Sequence, residues 1–180
     1  AAPKQGYVVD FTLLNPSALT NYTFAGDKTY LVNGILSLYG TTIIEGGAVV
    51  KYTNTISTRL SIYGDVDCQT STYRPAIFTA KDDDTVGQAV SGSTGSPSGT
   101  YASYAFLLWG QGKTYAFHDI FIRYANYGLG CIAASTLDLK DSQIGKGYYG
   151  ISLASNCVAG NVLFYELQQV VFPTSSNNKF

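Results

Sequence analysis

Leu36-Ser37-Leu38-Tyr39-Gly40 recurs further along the chain as Leu60-Ser61-Ile62-Tyr63-Gly64. The repeat decides the fold. Within each copy, apolar and polar residues alternate, as in a strand with one buried face. A glycine closes each copy and marks a turn. Phe106-Leu107-Leu108-Trp109-Gly110 follows the second copy after nearly two such periods. Tyr127-Gly128-Leu129 returns as Tyr149-Gly150-Ile151 after nearly one. A period drifting in the low twenties is that of a solenoid whose coils each contribute several short strands. Leucine-rich repeats share the period, but their Leu/Asn signature is missing. A β-sandwich explains the alternation and leaves the repeated block unexplained.

Outward from the repeat, the same alternation holds in Ile120-Phe121-Ile122-Arg123-Tyr124 and Leu137-Asp138-Leu139-Lys140. No long stretch carries apolar residues at helical spacing. The expected fold is all-β: a right-handed parallel β-helix with coils of roughly 20–30 residues. Its register points are Leu36, Leu60, Phe106 and Leu137. Coils stacked about 4.8 Å apart pair every strand above and below and line the interior with aliphatic side chains. The run Ser91-Gly92-Ser93-Thr94-Gly95-Ser96-Pro97-Ser98-Gly99 places an inserted loop near residues 85–104. Residues 1–28 lack the repeat and read as an N-terminal cap or assembly segment. Residues 29–172 form the β-helix, and 173–180 form a polar tail. End coils expose unpaired strand edges that need a cover or a partner.

Composition agrees with strands. The chain has 180 residues, 46% hydrophobic and 13% charged, with 19 Gly and 15 Tyr. That balance excludes disorder, which needs low hydrophobicity and high charge. Net charge is −1 and no basic run exists, so nucleic acid is not an expected partner. No apolar stretch approaches the roughly 18 residues of a membrane span. The chain lacks Met and opens at Ala1-Ala2-Pro3, as expected after removal of a signal peptide or excision from a precursor. An extracellular or cell-surface location follows as an expectation. Cys68, Cys131 and Cys157 are too few and too scattered for a disulfide framework or a zinc site. Two readings stay open: one disulfide, Cys131 with Cys157, or three buried thiols.

Gly46-Gly47-Ala48-Val49-Val50-Lys51-Tyr52, the Leu-Ser-x-Tyr-Gly repeats and Tyr73-Arg74-Pro75-Ala76-Ile77-Phe78-Thr79 carry a likeness. Over roughly residues 30–170 the chain resembles secreted bacterial β-helix repeat proteins of the broad pectate-lyase-like superfamily. The resemblance implies the fold. It leaves function open, because members include polysaccharide lyases and hydrolases, adhesins and phage tailspikes. It also implies where chemistry would sit: acidic residues holding calcium with an Arg or Lys base, or paired carboxylates.

Asp82-Asp83-Asp84 is the only acidic cluster and is the candidate calcium site; the alternative is a solvated turn. No other cofactor is expected. Asp65 and Asp67 alternate with Val66 and Cys68, so both point outward from one strand as a candidate catalytic pair or as ordinary surface. His118, the only histidine, has Asp119 and Arg123 close in sequence and is a candidate acid–base group or a turn residue. The superfamily's glycosidase signature is incomplete, since His118 is not flanked by glycines. With Leu36, Leu38, Leu60 and Ile62 inward, Tyr39, Tyr63 and Trp109 face outward at equivalent places. They form an expected aromatic strip, suited to sugar rings or to another protein, or simply stabilising the stack. Asn21-Tyr22-Thr23 matches a glycosylation sequon. Three functions follow in order: a non-enzymatic extracellular assembly module self-associating through its ends, a carbohydrate-binding module, and a polysaccharide lyase or hydrolase.

Overall fold

The computed structural model describes residues 11–55, 57–132, 135–153 and 156–173. The strands wind into a parallel β-solenoid of about seven turns, with no helix among the described residues. Three faces surround one core. The first face stacks β1 (Phe11–Leu14), β4 (Thr29–Val32), β7 (Val49–Tyr52), β10 (Ala76–Ala80) and β13 (Ile120–Arg123). The second stacks β2 (Ser17–Thr20), β5 (Ile35–Tyr39), β8 (Arg59–Ile62), β11 (Ala102–Leu108) and β14 (Ala125–Cys131). The third begins with β3 (Thr23–Phe24), β6 (Thr41–Glu45) and β9 (Asp65–Gln69), followed by β12 (Thr114–His118). The last two coils are the long strands β15 (Thr136–Leu153) and β16 (Cys157–Pro173), which continue all three faces.

The repeated block sets the second face. Leu36 lies beside Leu60, Leu60 beside Phe106, Phe106 beside Leu129 and Leu129 beside Ile151. All five are buried. Tyr30, Val50, Phe78, Ile122 and Ile144 form the matching inward row of the first face, and Phe24 and Ile44 that of the third. At mid-height, Phe78, Phe106 and Phe117 bring one ring from each face together, with centroids 4.6 and 5.0 Å apart. This burial of apolar surface from all three faces is the main stabilising term. Between β9 and β12, side chains replace a ladder: Cys68 Sγ and Thr70 Oγ1 reach the His118 carbonyl at 3.4 and 2.5 Å.

The coils turn at residues with left-handed backbone. Asp119, Asp141 and Asn161 follow one another at one corner, and Tyr124, Lys146 and Glu166 at the next. At the corner after Tyr39, Gly40 has φ +64° and a Cβ on Gly64 would lie 1.7 Å from the Gly40 carbonyl oxygen. That explains the glycine ending each Leu-Ser-x-Tyr block.

Three expectations change in detail. Residues 1–10 and 174–180, the outer parts of the expected cap and tail, lie outside the described residues. From Phe11 onward the segment read as a cap is the first coil, in parallel register with the second. It escaped the repeat because an end coil has one neighbour, so Ser17 suffices where Leu36 is needed next door. The inserted stretch spans residues 81–101, and Ala102 already belongs to β11. Leu137 sits on the third face beside Tyr115 and does not continue the Leu36 row.

Candidate functional site

The aromatic strip exists as a stack. Tyr39 and Tyr63 lie 4.9 Å apart at 10°, and Tyr63 and Trp109 5.7 Å apart at 11°. Parallel register places these outward residues one above another. Tyr63 therefore spends both faces on its neighbours, and Tyr39 and Trp109 spend one face each. A sugar docks on an exposed ring face, so this geometry favours holding coils together.

A second ladder on the same face escaped the sequence reading. Tyr104, Tyr127 and Tyr149 stack at 4.6 and 4.7 Å, and Phe172 closes the column 4.9 Å from Tyr149. Burial raises the Tyr104 and Tyr127 hydroxyl pKa values above the ordinary phenol value. Tyr104 lies over Gly130, where a Cβ would come within 2.5 Å of its ring. The signal was in the sequence: Tyr127-Gly128 and Tyr149-Gly150 repeat in the observed register, and Tyr104 hid inside the expected insertion.

The three aspartates act separately. Asp82 accepts hydrogen bonds from Tyr101 Oη at 2.5 Å and Thr94 N at 2.9 Å. Asp83 is buried and accepts from Thr79 Oγ1 at 2.6 Å and from Thr85, with Arg123 3.7 Å away. Burial raises the Asp83 pKa, but the hydroxyl donors and Arg123 outweigh it and hold the carboxyl below its ordinary value. Asp84 accepts from Ser93 Oγ at 2.8 Å and lies 3.8 Å from Lys51 Nζ. Lys51 points outward from β7 yet is fully buried, because the loop covers it and the Gln88 carbonyl accepts its hydrogen bond at 2.7 Å. Desolvation lowers the Lys51 pKa. Asp83 and Asp84 thus fasten the 81–101 loop to the first face, and Asp82 braces the loop internally. Among the described residues no group of three or more His, Cys, Asp or Glu side chains is arranged to hold a metal.

The acid–base candidates do not converge. Asp65 pairs with Lys113 at 2.5 Å, and Asp67 accepts from Gln69 Nε2 at 2.6 Å. Both point outward from β9 as expected. His118 Nδ1 sits 3.0 Å from Asp119 and 3.3 Å from Thr70 Oγ1, so both partners share one ring nitrogen. Cys68 lies nearby, but burial raises its thiol pKa and disfavours the nucleophilic thiolate. All three cysteines are free thiols, so Cys131 and Cys157 are not bonded. Burial pushes the Cys131 thiol up to about 12. Asn21 is exposed at a corner, and its side-chain carbonyl accepts from Thr41 N at 3.0 Å.

A cavity of about 460 Å³ lies at the corner of Asp119, Asp141 and Asn161, and a larger concave surface lies beside the loop. Cavities of about 370 and 480 Å³ adjoin beside the loop, and Thr100 and Tyr148 line both. Asn54, Asn126, Lys146 and Glu166 add polar groups. Tyr148 is exposed and meets Tyr149 edge-on at 62°, unlike the stacked rings of the ladders. Comparison of the chain with protein-family models, with curated proteins and with solved structures finds no match.

Proposed function

We propose that this chain is a non-enzymatic structural module of an extracellular or cell-surface assembly, self-associating through the ends of its solenoid. One observation carries the reading. β16 runs 17 residues, pairs only with β15 among the described residues, and exposes Val158, Leu163 and Val170 at 58, 54 and 42%. Long unblocked edges template pairing with another chain. The scattered acid–base candidates support the same reading, since each is engaged in a local contact. The superfamily resemblance bears on it through fold alone. Light scattering and electron microscopy of the purified 180-residue chain provide the test. Oligomers or filaments are expected; a monomer at every accessible concentration removes the reading.

Carbohydrate binding is the second reading, favoured by the Tyr148 groove. Tyr148→Ala should then abolish retention on immobilised polysaccharide, while Tyr39→Ala should leave it intact. The reverse pattern would return the role to the ladder.

A further inference from the structure

The two ends of the solenoid match each other better than either matches its middle. In the first two coils, ladder partners on the three faces are close in sequence: Phe11 with Thr29, Ser17 with Leu36, Thr23 with Ile43. The last two coils keep nearly the same short spacing, constant on every face: Leu137 with Cys157, Gln143 with Leu163, Ile151 with Val171. Between the ends the spacing more than doubles, from Leu60 to Phe106. The end coils are therefore compact loops of nearly equal perimeter, without insertions at their rims.

Their chemistry also agrees. Residues 11–24 contain no charged side chain, and residues 157–173 contain only Glu166. Solvated edges are ordinarily blunted by charges, especially Lys. Leu14 and Leu19 at one end, and Phe164, Leu167 and Val171 at the other, pack on the core but stay half-buried. Their equivalents one coil inward, such as Val32, Leu38 and Ile144, are fully enclosed.

We infer that the occupant of the β16 edge is the first coil of a second copy, stacked head to tail as an eighth coil. This rests on the assembly reading above and adds its partner surface and polarity. A head-to-tail contact uses two different patches, does not close on itself, and propagates into a filament. Parallel pairing along three faces continues the ladder, and the half-buried aliphatic side chains of both ends become core.

Two variants test the polarity. One carries Leu163→Lys and Val170→Lys on the last coil; the other carries Leu13→Glu and Thr20→Glu on the first. All four positions are exposed, so circular dichroism and melting temperature should stay at the parent values. Each variant alone should lose assembled mass by at least about tenfold, because charges on an edge strand block its pairing with another chain. Mixed together, the two should form a heterodimer through their unmodified ends, the last coil of the Glu variant against the first coil of the Lys variant. A parent chain that never associates defeats the assembly reading itself. Association that both variants leave unchanged overturns only the end contact. Loss with the Lys variant alone, without rescue on mixing, means tail-to-tail pairing and overturns the polarity.

Discussion

The first and second faces are built on the same alternation yet treat their outward positions in opposite ways. On the first, the 81–101 loop covers the strands, and an outward Lys51 becomes a buried cation held by Gln88 and Asp84. On the second, outward Tyr39, Tyr63 and Trp109 stack in the open. One face is closed by polar anchoring and the other by ring-on-ring contact. An outward position in a solenoid is thus decided by what arrives from elsewhere in the chain, while an inward one is decided by the coil.

Breaking the anchor should have the largest effect. Asp83→Ala leaves Arg123 and the Thr79 hydroxyl without their acceptor, and removing one partner of a buried charged set costs about 3–5 kcal/mol. Urea unfolding should show that loss, and hydrogen exchange should show residues 81–101 opening. Lys51→Met removes the buried charge along with its donor and should cost only about 1–2 kcal/mol for the stranded Gln88 carbonyl. Equal effects from the two would mean that the loop is not held electrostatically.

On the open face, the strongest perturbation is Gly130→Ala. The new Cβ displaces Tyr104 from the second ladder, an overpacking cost of about 1–3 kcal/mol. The near-ultraviolet dichroism of stacked tyrosines should fall with it. An unchanged spectrum would show that the ladder tolerates the shift. Tyr63→Ala, which removes the middle ring of the exposed ladder, should cost about 1 kcal/mol beyond its lost area.

The gentlest probe is pH, and it should separate the faces. Asp83 has a depressed pKa in the fold, so its contribution is present above the ordinary carboxylate pKa and is lost as pH falls through the folded value. Tyr104 and Tyr127 have raised pKa values, so theirs is complete below the ordinary phenol pKa and fades as pH climbs through the folded values. Acid should first release the loop, and alkali should first disorder the second ladder. Hydrogen exchange at the two extremes would show whether the order holds.

The legible parts follow the same division. Leu36, Leu38, Leu60 and Ile62 announce the core because inward positions obey the strand period. Tyr39, Tyr63 and Trp109 stack as expected because parallel register carries equal positions into equal places. Lys51 could not be recognised as buried, since its acceptor Gln88 lies far along the chain in a loop without periodicity. Asn and Asp at the corners suit left-handed backbone, but Tyr124, Lys146 and Glu166 hold the same conformation against residue preference. The parallel register with the neighbouring coil carries the conformation from one to the next.

The long step from Leu60 to Phe106 also bears on how the chain folds. Repeat proteins gain stability by adding neighbours, so growth can start anywhere and spread. From Phe106 to Leu129, then to Ile151 and Val171, each step is half as long or shorter. Shorter steps close at lower entropy cost, with each doubling of length adding about 0.6 kcal/mol. The steps from Ser17 to Leu36 and from Leu36 to Leu60 are about as short, so each set of coils is expected to form by itself and the long step to close last. Pulsed hydrogen exchange should show the β2–β5–β8 and β14–β15 ladders protected before the amides that join β8 to β11.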